Sequence, residues 1–154
     1  MNDLHNQVTE DEIEKKKRSL KRYKKNQLKI NRLVNKLNDL IDRIESVKSP
    51  NLSGMPRGGT PTTLDELMAN KIEYEERIKS LKRKGKELRK EILAEIDLLD
   101  DVRYCEILEA FFIDLQTLED IAANNNYSKR QVDRLYSKGI IALINVDKMS
   151  VECQ

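Results

Sequence analysis

Between Thr117 and Gly139 the chain reads TLEDIAANNNYSKRQVDRLYSKG, where the side chains able to do chemistry follow a helical spacing. Lys129, Arg130, Asp133, Arg134 and Ser137 fall on the outward positions of a helix that Ser128 opens, with Lys138 beside them. Ser128 and Gln131 have capping-box spacing, in which the hydroxyl takes the Gln131 amide and the Gln131 side chain reaches back. Cations, hydroxyls and an amide in this arrangement suit phosphates and base edges. The candidate set for contact with double-stranded DNA is therefore Ser128, Lys129, Arg130, Gln131, Asp133, Arg134, Ser137 and Lys138.

Such a face needs a supporting element. Leu118, Ile121, Ala122, Val132 and Leu135 recur where two short crossed helices would bury them. Ala122 is small where the helices approach. Asn124, Asn125 and Asn126 lie between the two, and Asn tolerates a left-handed turn better than any residue except Gly. The motif thus reads as helix, tight turn, helix; an ordinary helical hairpin of a small α-domain is the alternative.

The 154 residues leave room for one domain, or for a small domain with an elongated attachment. Charged residues are 36% of the chain and aromatics 5%, with no Trp, which suits long solvated helices rather than one large core. No apolar run is long enough to span a bilayer, and the N-terminus is polar and acidic; no membrane association is expected, and the expected compartment is the cytoplasm. Cys105 and Cys153 have no metal-ligand or disulfide-framework spacing. Cys105 shares a helical face with Val102, Leu108 and Phe112 and reads as a core thiol. His5 is the only histidine, and the GGT at Gly58–Thr60 lacks the Lys of a phosphate loop. Neither an enzyme nor a cofactor is expected.

The expected fold is all-α: a long antiparallel coiled-coil hairpin followed by a small helix-turn-helix domain. Residues 1–10 read as a disordered start, 11–100 as the hairpin, 101–146 as the helix-turn-helix domain and 147–154 as a tail. The first arm, 11–48, has no Gly or Pro, and its seam runs through Ile13, Leu20, Tyr23, Ile30, Val34, Leu37, Ile41 and Ile44, with Lys16 and Gln27 as interruptions. Leu33, Leu40 and Val47 widen the stripe and ask for more than one partner helix. Residues 49–63 hold all three prolines and three of the five glycines and read as a flexible connection. Thr63 and Glu66 cap a second arm through Leu67, Tyr74, Ile78, Leu81, Leu88, Ile92 and Leu99, weakened by Lys71, Gly85 and Glu95. Parallel pairing of each arm with another copy is the alternative. Gly139 is expected to interrupt the last helix, which ends near Leu143.

A net charge of +2 conceals two basic runs. Lys15, Lys16, Lys17, Arg18, Lys21 and Arg22, continued by Lys24 and Lys25, form one; Lys82, Arg83, Lys86, Arg89 and Lys90, flanked by Lys79 and Lys84, form the other. An antiparallel hairpin brings both toward its open end, where they are candidates for phosphate contact with salt-dependent affinity. A solvated coiled-coil face is the competing explanation.

The linker SPNLSGMPRGG, the basic helices around it and the ending VRYCEILEAFFIDLQTLEDIAANNNYSKRQVDRLYSKGI together resemble a family of small proteins of Gram-positive phages and prophages. The C-terminal part resembles the last DNA-binding region of sigma-70-type factors and the RinA/ArpU-type activators of phage late operons. The resemblance covers about Arg22 to Leu143. It implies that Leu118–Asn124 is a supporting helix, that Ser128–Ser137 is a recognition helix, and that Lys129, Arg130, Gln131 and Arg134 meet DNA. It further implies a phage regulator acting on transcription in a bacterial cytoplasm. The stripe widened by Leu33, Leu40 and Val47 would be covered by a second hairpin, so a homodimer through the long helices is expected, with contact to bacterial RNA polymerase as the other use of the coiled coil. Two departures stand out: Asn126 occupies a position where such turns place Gly, and Ile113–Gln116 replaces a Gly-containing connection. A small-terminase-type packaging protein and an interaction module that binds no DNA are the other functions compatible with this sequence.

Overall fold

In the computed structural model, residues 7–48 and 63–152 are described, and they form six α-helices with no strand among them. These are α1 (Glu10–Leu20), α2 (Arg22–Lys48), α3 (Leu64–Ile96), α4 (Val102–Phe112), α5 (Leu118–Asn125) and α6 (Lys129–Glu152). The expected flexible connection lies outside the described residues, apart from Thr63. The chain divides into two compact units, Asn26–Gly85 and the remainder, with boundaries inside α2 and α3. The division expected at residue 100 is therefore not the one observed.

In the Asn26–Gly85 unit, Ile30 and Leu33 pack with Ile78, and Leu40 and Ile44 pack with Leu67. As α2 advances, α3 runs back, so the two segments are antiparallel. The buried row of α2 is Asn26, Ile30, Leu33, Leu40 and Ile44. This differs from the seam expected through Gln27, Val34 and Ile41. Leu33 and Leu40 are only 6% and 7% exposed, so the residues expected to widen the stripe form the seam itself. Val47 is exposed. The register follows from Asn26, whose side-chain amide donates to the Leu81 carbonyl at 2.9 Å. Gln27 stays half-buried beside it.

The other unit is built on a continuous core that includes Leu20, Ile92, Ile96, Leu108, Phe112, Ile121, Val132, Ile140 and Leu143. Helices α4 to α6 bury these apolar faces together with α1 and the end of α3, which explains the shifted boundary. The N-terminal residues expected to be disordered include part of this packing. Val8 lies against the core, and Thr9 caps α1 in a reciprocal box with Glu12, with bonds of 2.8 and 3.2 Å. The single helix expected over 11–48 is divided at Lys21, next to which the Arg22 guanidinium donates to the Ser19 carbonyl at 2.7 Å.

Asp101 caps α4 by accepting the Arg103 amide at 2.9 Å. Phe111 and Phe112 meet edge to face, and both pack on Tyr136 of α6. Cys105 is half-buried, with its thiol 3.4 Å from the Ile96 carbonyl, and burial pushes its pKa up. Val102 does not share its environment, being 65% exposed.

α6 does not break at Gly139. A β-carbon there would lie 3.1 Å from Leu108, so the glycine marks the close approach of α4 and α6. Ile140, Leu143 and Ile144 are buried beyond it, and Lys148 pairs with Glu12 at 3.0 Å. This packing carries the helix to Glu152, well past the expected end near Leu143 and through most of the expected tail.

Candidate nucleic-acid interface

The motif begins at Thr117, whose hydroxyl accepts the Asp120 amide at 3.1 Å while its own amide donates to the Asp120 carboxylate at 3.3 Å. This capping box was legible as Thr-x-x-Asp, but the sequence reading passed over it. α5 buries Ile121 and Ala122 and ends at Asn126, which is left-handed at φ 56° and ψ 32°. The expectation for the asparagine run holds at that residue. Asn125 adds a side-chain bond to the Ile121 carbonyl at 2.8 Å, and Tyr127 donates its amide to the Ala122 carbonyl at 3.0 Å. The connection before α5 contains a second left-handed residue, Leu115 at φ 57°.

Ser128 and Gln131 form the expected box, with the Gln131 backbone amide donating to the Ser128 hydroxyl at 3.2 Å and the Ser128 backbone amide to the Gln131 side-chain Oε1 at 3.0 Å. The cap thereby occupies the side-chain oxygen of Gln131 and leaves its NH2 group as a donor. Val132, Tyr136 and Ile140 are buried, and Leu135 is half-buried. Lys129, Arg130, Gln131, Asp133, Arg134, Ser137 and Lys138 are all exposed, as is Ser128. The candidate DNA-contacting set therefore shares one solvent-facing surface.

Within that surface the cations differ. Lys129 reaches back to Glu119 of α5 at 2.9 Å, and their mutual hydrogen bond raises the lysine pKa and lowers that of the glutamate. Arg130, Arg134 and Lys138 stand four residues apart in a row along α6 and form no ion pair among the described residues. A row with this spacing lies on one side of a helix.

The flanking cations divide more sharply. Lys16 cannot serve as a phosphate contact. Its side chain is 11% exposed and is held by Glu95 of α3 and Asp147 of α6. Burial works against the ammonium, but its hydrogen bonds to Asp147 and Glu95 outweigh that and raise the pKa. The polar interruption of the expected seam is in fact a half-buried tether for α1. Lys17 lies over the Tyr136 ring at 5.7 Å and pairs with Glu14 at 3.7 Å. Lys15 pairs with Asp11 at 3.0 Å and Arg22 with Glu91 at 3.6 Å, while Arg18 and Lys21 are exposed.

On α3, Lys86, Arg89 and Lys90 line an open groove of about 440 Å³, with Asp97 also in its lining. Lys82 and Arg83 are exposed in the Asn26–Gly85 unit. No family model, curated protein or solved structure matches this chain. No helix among the described residues is long and apolar enough to cross a membrane.

Proposed function

We propose that the protein is a DNA-binding transcriptional regulator that lays the N-terminal half of α6 in the major groove. The observation that carries this reading is the row Arg130, Arg134 and Lys138, exposed and unpaired among the described residues, on a helix whose opposite face is anchored in the core. Guanidiniums in such a row reach guanine edges and phosphates, and Ser128, Ser137 and the free NH2 of Gln131 supply neutral donors beside them. The resemblance of the C-terminal part to sigma-type and phage late-operon regulators supports a role in transcription within a bacterial cell. On that reading bacterial RNA polymerase is a candidate partner.

The decisive experiment selects a preferred duplex from random sequence, then measures its affinity against scrambled duplex by fluorescence anisotropy. Arg130→Ala or Arg134→Ala is expected to reduce preferential binding about tenfold or more, since a good base contact contributes about 1–3 kcal/mol. Unchanged preference in both variants would remove α6 as the reading element, and absence of duplex binding at low salt would favour a protein-interaction role.

Assembly state bears on the same reading. Leu33 and Leu40, the stripe expected to need a second hairpin, are buried within their own unit. Sedimentation equilibrium separates the remaining possibilities: a dimer or monomer fits regulation, whereas a large ring would point to DNA packaging.

A further inference from the structure

A groove in the Asn26–Gly85 unit collects four cations that lie outside both basic runs. It has a volume of about 570 Å³, within the usual range for a small-ligand site. Lys29, Arg32 and Lys36 line it from α2, while Arg77 and Ser80 line it from α3. Leu33 and Leu81 supply the apolar part of the wall.

The spacing on α2 is three and then four residues, which keeps the three cations on one helical face. No carboxylate lines the groove. Asp39, Glu73 and Glu76 are within a turn of the lining residues in sequence, yet the ion pair in this unit is Lys71–Glu75, among the described residues. The Arg77 guanidinium lies 5.9 Å from the Tyr74 ring centroid, a contact that leaves its charge intact. Four like charges around one concavity repel one another unless an anion joins them, and a concave wall of one sign concentrates counter-ions.

We propose that this groove is a binding site for a chain of phosphates. Lys29 to Lys36 spans about 10 Å along the helix axis, which matches about three successive phosphates of a nucleic-acid strand or the length of a linear oligophosphate. Arg32 and Arg77 grip phosphate oxygens from opposite helices, Lys29 and Lys36 neutralise the ends, and the Ser80 hydroxyl donates. The site does not depend on the role given to α6.

The probe is sodium tripolyphosphate, titrated into the full-length protein at low ionic strength by calorimetry. Arg32→Gln with Arg77→Gln is expected to weaken binding about tenfold, through loss of charge-assisted hydrogen bonds, while Arg32→Lys with Arg77→Lys retains part of it. Arg43→Gln with Lys48→Gln removes the same charge from α2 beyond Lys36, at residues outside the groove and both basic runs. With the titrations repeated at about 0.15 M salt, where the Debye length is about 8 Å, this pair is expected to leave binding within about twofold. All these side chains are exposed, and circular dichroism checks that the helices persist. Competition with scrambled duplex then identifies the source. Displacement of tripolyphosphate by duplex assigns the site to a nucleic-acid backbone, and failure to displace assigns it to a free oligophosphate. The proposal is overturned if wild type does not bind tripolyphosphate, or if the two glutamine pairs weaken binding equally.

Discussion

Asn26 and Gly85 fit together as side chain and vacancy. A β-carbon at Gly85 would lie 2.5 Å from the Asn26 side-chain oxygen, while the Asn26 amide nitrogen donates to Leu81, one helical turn before the glycine. A buried amide in an otherwise apolar seam opposes slipped pairings, because any other register would leave it without its carbonyl.

From this relationship the effect of Gly85→Ala depends on its neighbour. Alanine should gain about 1 kcal/mol of helix propensity, but in wild type the β-carbon must displace a buried, hydrogen-bonded amide. Gly85→Ala is expected to be destabilising alone and stabilising in an Asn26→Ala background. A double-mutant cycle by urea denaturation should give a coupling of about 1–3 kcal/mol. Additive effects would show that the two residues do not constrain each other.

Lys16 joins α1 to α3 and α6 through Glu95 and Asp147. Removing the lysine leaves two carboxylates facing each other's charge, one of them 21% exposed. Lys16→Met is expected to lose about 1–3 kcal/mol, below the cost of breaking a fully buried pair because Asp147 is half exposed. Lys15→Met, which breaks an exposed pair next to it, should cost at most about 1 kcal/mol. Thermal unfolding of the two variants compares them directly.

Alkaline pH should weaken the α1–α6 packing. Burial, with the Glu14 charge adding to it, raises the Tyr136 phenol from 10.0 to about 12. The unfolded chain then releases that proton first, so the stabilisation is full below pH 10 and declines as pH rises toward 12. The raised Lys16 pKa acts with the same sign, since its ion pairs fail once the folded lysine deprotonates. Tyr136→Phe is expected to flatten part of the decline in a urea series at successive pH values. An identical alkaline limb in the variant would exclude the phenol as a contributor.

The legible parts of the sequence were those set by local rules. Ser128 with Gln131, and the turn-forming Asn126, depend on neighbours within a few residues. The outward face of α6 likewise followed from helical period alone. What escaped the reading depends on which residues meet across long sequence separations. Val34 and Ile41 compete with Leu33 and Leu40 for the same seam, and the choice depends on the space at Gly85. Lys16 reads as one more solvated lysine until Glu95 and Asp147 are brought beside it. Gly139 reads as a helix breaker until Leu108 is placed 3.1 Å from its missing β-carbon. The groove cations Lys29, Arg32 and Lys36 carried a visible period, but Arg77 and Ser80 join them only through antiparallel packing.

Leu115 and Asn126 are the two non-glycine residues of the described chain in the left-handed region, at φ 57° and 56°, and they frame α5. Asparagine accepts that backbone readily, whereas a β-branched side chain there meets its own carbonyl. Asn126→Gly should therefore be neutral or mildly stabilising, by up to about 1 kcal/mol, and Asn126→Val destabilising by about 1–2 kcal/mol. The valine acts at the turn that sets α5 against α6, so its cost should appear in the exchange of the Tyr127 amide, which donates to Ala122 across that turn. Hydrogen exchange by NMR tests this. Faster exchange at Tyr127 in Asn126→Val, with Asn126→Gly unchanged or slower, is the expected pattern. Equal protection in wild type, Gly and Val would mean that residue 126 does not govern the geometry of the turn.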